Sequence, residues 1–492
     1  MNDIIITNYS LLITNLQMNI DEEYFKSEEF QELLESYEAS INAGSNPFMD
    51  ADDLVDLADY YGWQGFDDKA EAAIDYALEL YPTATLPNVF KARKALGIGD
   101  FTQAHFYCDE IENHDDPDYH YLVAEIMIAE GHIQKADDYL HEYAKSVEPD
   151  EYEDFVRDCA NLYIDYNQNE KAYEWMLRSR GDESDDFKEL MARTLFGLGK
   201  YKDSERIFNE LIDQHPYSKQ YWNALASAQF MNEDYSNAIT SSEYAIAIDP
   251  NDPDAVSSKA SGLFRLGNYE EALKYFKRYN ELEPDDEFGL LHQGVCLVNM
   301  IRHDEALPLL RMALAVAPKD SPFLAQIYQE LAFCYSAQHQ VKQALEMLEK
   351  TKAYDCDHTD MLVVKGHILL QNNLIAEAEQ AFKEAIMKSD NSPAILLRII
   401  VSLYDNRYLN ACYQMLLKFF QLVNEYYPDY KSGNAYMALC CYDLGRNEEF
   451  LKYLQQAVEQ DPQEAKSVLS CLFPEGTPIS DYVTYMELRI KN

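Results

Sequence analysis

Residues 219–320 read as three contiguous blocks of equal length: KQYWNALASAQFMNEDYSNAITSSEYAIAIDPND (219–252), PDAVSSKASGLFRLGNYEEALKYFKRYNELEPDD (253–286) and EFGLLHQGVCLVNMIRHDEALPLLRMALAVAPKD (287–320). Pro250, Pro284 and Pro318 are spaced by 34 residues, and so are Ala238, Ala272 and Ala306, each 12 residues ahead of its proline. The first block holds Trp222, Leu225, Ala226, Gln229 and Ala245, and the second Ala260, Leu263, Gly267, Tyr269 and Phe276. A fixed period of this size marks one supersecondary unit repeated along the chain.

Carried outward, the frame gives twelve units, starting near 51, 85, 117, 153, 185, 219, 253, 287, 325, 359, 392 and 431. The eighth position is small in all but one: Ala58, Ala92, Ala124, Ala160, Ala192, Ala226, Ala260, Gly294, Ala332, Gly366 and Ala438, with Ile399 as the exception. The twentieth is alanine except at Ser204 and Phe450, and the unit at 392 places Ala411 there. Two antiparallel helices approach closely only where both present small side chains, which these positions supply. A turn with Gly or Asn joins the two helices, and the proline near the end of the second stops it. One helix pair cannot bury its own apolar face, so stability must come from stacking neighbours. Four extra residues precede the unit at 325, and the unit at 392 runs 17 residues from Ala411 to Pro428, which predicts a longer second helix.

This pattern resembles the tetratricopeptide repeat, a helix-turn-helix unit with W-x₂-L-G-x₂-Y followed by Ala, Phe and Pro. The resemblance covers residues 51–464 and implies an all-α fold, a right-handed α-solenoid superhelix of about twelve repeats. Residues 1–50 are expected to form an N-terminal helical cap with a short linker, and 465–492 a C-terminal helical cap. The N-terminal flank reads as one amphipathic helix over 21–43, through Tyr24, Phe25, Phe30, Leu33, Leu34 and Tyr37, while 4–20 is ambiguous between strand and helix. At the other end, 464–473 reads as helix, 474–478 as a break, and 480–490 as a final helix.

The resemblance also places positions 2, 5, 6, 9, 12 and 13 of each first helix on a concave groove. Position 12 is aromatic in three consecutive repeats, Phe196, Phe230 and Phe264, and Trp63 stands at position 13 of the first. An aromatic ladder would bury side chains of a docked segment; the alternative is that the rings pack against their own second helices. Position 2 is Asp in six repeats, among them Asp118, Asp154 and Asp186, which would either steer a basic partner or cap their helices. The Lys/Asn/Arg clamp by which relatives hold chaperone tails is not matched: Arg157 and Asn161 are followed by Leu190, then by Gln220 and Ala224.

Composition narrows the functional classes. The 492 residues hold 87 acidic and 40 basic side chains, a net charge of −47, which argues against nucleic acid and anionic membranes as partners. Residues 1–186 carry 44 acids against 11 bases, so the negative charge is concentrated in the first part of the chain. Nine scattered cysteines without a CxxC pair fit reduced thiols and, with no signal-like N-terminus or long apolar stretch, a cytoplasmic location. Gly197-Leu198-Gly199-Lys200 lacks the spacing of a phosphate loop and falls at an intra-repeat turn. Asp137, Asp138 and His141 share a helix but lack further ligands, so no metal or cofactor is expected. No nucleophile–base set stands out, and an enzyme is not expected. The expected function is a non-catalytic scaffold that docks a basic protein or peptide segment. The other readings are a self-associating structural protein and a regulatory subunit of a separate enzyme.

Overall fold

The first helix of most blocks starts where a short side-chain oxygen can satisfy its free amides. Asp50 accepts from the Asp53 N–H, Asp116 from Asp118, Ser184 from Phe187, Ser218 from Tyr221, Asp252 from Asp254 and Ala255, and Asp357 from Thr359 and Asp360. At Asp52, Asp118, Asp186, Asp254 and Asp360 the cap stands two or three residues ahead of the position-2 aspartate, so of the two roles open to these aspartates capping falls to the earlier residue. A cap needs extended backbone before the first turn, and Asp118, Asp186 and Asp254 are already helical. The computed structural model describes residues 24–43, 48–354, 356–474 and 476–491, and among them it contains 27 α-helices, three short 3₁₀ turns and no strand. The expectation for residues 4–20 lies outside the described residues.

The turn between the two helices of every repeat closes in the same way. Its fifteenth residue is left-handed: Gly65, Gly99, Gly131, Asn167, Gly199, Glu233, Gly267, Ile301, His339, Asn373, Arg407 and Gly445 all have positive φ. In the turns other than the one at Gly267 the next N–H returns to a carbonyl five residues back, as Lys200 does to Leu195 (2.9 Å) and Arg302 to Leu297 (2.8 Å). This is the Schellman closure, which uses up carbonyls that a helix end leaves unpaired. Gly197-Leu198-Gly199-Lys200 is such a turn, between Asp185–Gly197 and Tyr201–Gln214. Counting by Arg407 puts the unit near 392 one residue later than its starting frame. Its buried small residue is then Cys412, fully buried, whereas Ala411 is exposed.

The chain divides into two compact units, Met1–Leu266 and Gly267–Asn492. In the first, Ala58, Ala92, Ala124, Ala160, Ala192 and Ala226 have no exposed surface, and neither do Ala104, Ala136 and Ala172 on the second helices. Ser204, which replaces alanine at position 20, donates its Oγ–H to the Ala192 carbonyl at 2.8 Å, so its hydroxyl is buried with a partner. The helix Glu28–Asn42 lays Phe30, Leu34 and Tyr37 on Leu54, Leu57 and Ala58 of the first repeat. Each such large apolar side chain withdrawn from water contributes about 1.5–3 kcal/mol.

The second unit shows what happens when position 8 is glycine. A Cβ on Gly294 would lie 2.5 Å from Leu310 Cδ2, and one on Gly366 would enter the Phe382 ring. The larger residue of the second helix takes the space that alanine leaves filled elsewhere. The predicted long helix is present as Leu409–Tyr426, 18 residues against 14 in Ile375–Lys388. Successive repeats are joined by polar contacts near the repeat period: Gln338 donates to Asp304 at 2.8 Å, and the His367 ring meets the Ser402 hydroxyl at 3.0 Å. The terminal helix Tyr482–Lys491 closes this unit with Met486 fully buried and Tyr482 stacked on Phe473 at 3.7 Å. No described helix of either unit is long and apolar enough to cross a membrane.

His292 is the least accessible titratable ring of the second unit, 1% exposed among Phe276, Phe288 and Phe323. Its Nδ1–H donates to the Phe288 carbonyl at 2.9 Å, while Nε2 has no hydrogen-bond partner. Burial lowers its pKa from 6.5 to about 4. Glu330, also buried, is pushed up from 4.5 to about 7 by burial alone.

Two predictions follow from this packing. Gly366→Ala should lower the stability of the second unit by about 1–3 kcal/mol, because the Phe382 ring must leave its rotamer, and a shift in urea midpoint measures it. Below pH 6.5 the unfolded chain protonates His292 while the folded chain resists until about 4. Wild type should therefore lose about 3 kcal/mol relative to His292→Phe as pH falls across that window. Denaturation of both proteins at several pH values reads the difference directly. Glu330 works in the opposite direction, losing stability as pH rises from 4.5 toward 7, and cancels in that comparison.

Candidate binding face on the first helices of unit one

The exposed face of the first helices between residues 85 and 231 is built from positions 5, 6, 9 and 13, which stacking brings into rows. Arg93 at position 9 donates its Nε–H to Glu125 at position 9 of the next repeat, 2.8 Å away. Tyr166 donates its hydroxyl to the other oxygen of Glu125 at 3.3 Å. Tyr121 at position 5 donates to Asp158 at position 6 of its neighbour at 2.9 Å. Farther along, Arg193 is 4% exposed, with Glu189 and Asp165 as the carboxylates that act on it. Its Nε and Nη2 have no hydrogen-bond partner in the fold.

The balance of charge on this face is unusual in its sign. Burial raises the carboxyl pKa values of Asp118, Asp158, Asp165 and Glu189 above their ordinary range. For Asp118, Asp165 and Glu189, Arg93 or Arg193 pulls the other way without prevailing. Carboxyl groups held this way favour any arriving cation, because a cation restores what solvent no longer supplies. Burial in turn lowers the Arg193 guanidinium, whose buried Nε and Nη2 have no hydrogen-bond partner in the fold. The face is thus a row of carboxyls, with Asp158 and Glu189 held by the Tyr121 and Tyr221 hydroxyls and one buried guanidinium among them.

The residues singled out from sequence are distributed differently. Asp118 belongs to this face. Asp154 is exposed and pairs with Arg157, which also pairs with Asp182. Asp186 is exposed at the start of its helix. Phe196 and Phe230 are 9% and 3% exposed, and each meets edge-on the tyrosine that opens its own second helix, Tyr201 at 5.3 Å and Tyr235 at 5.1 Å. Packing within the repeat is therefore their role in the fold, and Phe264 is half-buried. Trp63 keeps 41% of its surface exposed and contacts Phe25 and Tyr60. Asp137 is occupied by Lys171 and the Trp175 indole, and no described cluster of His, Cys, Asp or Glu has metal-binding geometry. Tyr121, Asp158, Asp165, Glu189 and Arg193 escaped the sequence reading. Opposite charges at positions 5, 9 and 13 of adjoining repeats were the available signal.

Helix pairs with small residues at the pair contact, a left-handed fifteenth residue and stacked first helices define a tetratricopeptide-repeat solenoid. Sequence comparison supports the same superfamily: family models described as tetratricopeptide repeat match residues 190–253 and 437–464. A further model, described as anaphase-promoting complex, cyclosome, subunit 3, matches 231–313. Superkiller protein 3 of Schizosaccharomyces pombe is 28% identical over 160 residues, 31% of this chain and 12% of that protein. Hsp70-Hsp90 organizing protein 3 of Arabidopsis thaliana is 31% identical over 130 residues, 26% of this chain and 23% of that protein. The chain thus matches less than a quarter of the length of either relative. Among solved structures, yeast Tom70 aligns over 90% of this chain and 96% of its own, with 14% identity and a TM-score of 0.41.

The burial of the phenylalanines has a measurable consequence. Phe230→Ala should destabilise the first unit by about 3–5 kcal/mol, the cost of an aromatic core cavity. Chemical denaturation followed by circular dichroism checks it. A loss below about 1 kcal/mol would return Phe230 to the set of free groove residues.

Proposed function

We propose that the chain is a non-catalytic interaction scaffold whose first unit docks a basic segment of a partner protein along the first-helix face. The observation that carries this reading is the placement of Asp118, Asp158, Asp165 and Glu189, all reachable by solvent, on the first helices of three consecutive repeats, with partial desolvation raising each carboxyl. Lysine or arginine side chains would pair with these groups. The exposed Asp154 and Asp186 lie at the starts of the same helices and would speed encounter more than they deepen affinity. Phe196 and Phe230 are core residues of the unit, and Trp63 offers an exposed apolar surface in its first repeat. The relative named for organizing Hsp70 and Hsp90 agrees with a scaffold role of this general kind. An acidic face disfavours an acidic segment as its partner.

The test is binding of a lysine- and arginine-rich peptide, measured by fluorescence anisotropy at two salt concentrations. Asp158→Asn with Glu189→Gln should weaken binding by about tenfold and flatten its salt dependence, with unchanged helicity. Binding should also fade on acidification at a pH above the ordinary carboxylate range, because the raised groups take up protons early. Equal affinity of wild type and the double variant at both salts would sink the reading.

A further inference from the structure

The second unit contains a pocket of the opposite chemistry. The long helix Leu409–Tyr426 and the segment 427–433 depart from the repeat pattern by one extra turn of helix and a short loop. Against the second helix of the next repeat, Asn447–Gln460, they enclose a cavity of about 210 Å³. Its wall is the parallel-stacked pair Phe420 and Tyr453, with ring centroids 5.8 Å apart. Around it stand Asn424, Lys431, Ser432, Lys452 and Gln456, and the described lining contains no carboxylate. That composition is notable in a chain with 87 acidic residues.

The donors at this pocket are largely uncommitted. Lys431 gives one N–H to the Pro428 carbonyl at 2.8 Å, and Lys452 lies 5.2 Å from the Tyr453 ring centroid. Neither ammonium pairs with a carboxylate among the described residues, and the Asn424 and Gln456 amides make no side-chain hydrogen bond there. Two acids lie beside the lining with their oxygens engaged: Asp461 accepts from Ser432 Oγ–H at 2.9 Å and from the Glu464 N–H at 3.0 Å, and Glu464 accepts from the Gly433 N–H at 2.8 and 2.9 Å. Two ammonium groups and two free amides around one side-chain-sized cavity suit a tetrahedral dianion better than a single carboxylate. Repeat proteins place such local insertions where they bind.

We propose that this pocket binds a phosphate monoester, with Lys431 and Lys452 supplying charge and Asn424 and Gln456 supplying hydrogen bonds. The group comes either from a small phosphorylated molecule or from a phosphorylated side chain of a partner. The site is independent of the first-unit face in both position and charge, so either can fail alone.

The experiment uses the full chain and three probes: inorganic phosphate, phenyl phosphate, and a neutral peptide carrying one phosphotyrosine, each titrated by calorimetry with ³¹P NMR as a second readout. Binding should weaken by about tenfold in Lys431→Gln/Lys452→Gln, whose exposed positions leave the core intact. Asn424→Ala/Gln456→Ala should weaken it less while keeping the charge. Preference for the peptide over both small probes assigns the group to a partner protein, and equal binding assigns it to a small molecule. No binding of any probe, or binding that both double variants leave unchanged, overturns the proposal.

Discussion

The close approach of two helices at positions 8 and 20 is the constraint on which the rest of the structure depends. It lets a unit of 34 residues fold as a tight pair, and it fixes the angle at which the pair meets the next one. Alanine satisfies it at nearly every repeat. Several exceptions find a compensation: Ser204 gives its hydroxyl to the facing carbonyl, Gly294 and Gly366 yield to Leu310 and Phe382, and Phe450 is fully buried where its partner helix, Asn434–Asp443, is short. A core built this way is low in volume at the pair contact and rich in aromatics beside it. That division explains why deleting a ring and adding a methyl are both costly here.

Once the helices are set, their remaining faces differ in chemistry between the two units. In the first, acids of neighbouring repeats come together on the first-helix face and outnumber the arginines there. In the second, an extra turn of helix creates a pocket from amides and lysines. The same scaffold can hold both because each repeat contributes only a few side chains to any surface, and stacking decides which of them meet.

What could be read from the sequence was what the period encodes. The small positions, the turns, the long helix after Leu409 and the helical flanks are local or strictly repeated, so one chain displays them many times. Register near 392 was harder, because Ala411 and Cys412 are both small and either satisfies the pattern; the left-handed Arg407 decides it. The aromatics at position 12 were equally consistent with an open groove and with packing, and only the adjacent Tyr201 and Tyr235 resolve this for Phe196 and Phe230. The carboxyl row was not legible, since Tyr121 and Asp158 are 37 residues apart and meet only after stacking. Which aspartate caps was not legible either, because position 2 and the true cap are both acidic in several repeats.

The left-handed turn residues carry a last consequence. Glycine takes that conformation without cost, but Ile301, His339, Asn373 and Arg407 hold it in four successive turns of the second unit. Each such residue stores about 1–2 kcal/mol of steric strain that opening the turn would release. A repeat array ordinarily frays from its ends, where a neighbour is missing. Here the interior hairpins of the second unit carry built-in weak points as well, so amide exchange can begin from within the array.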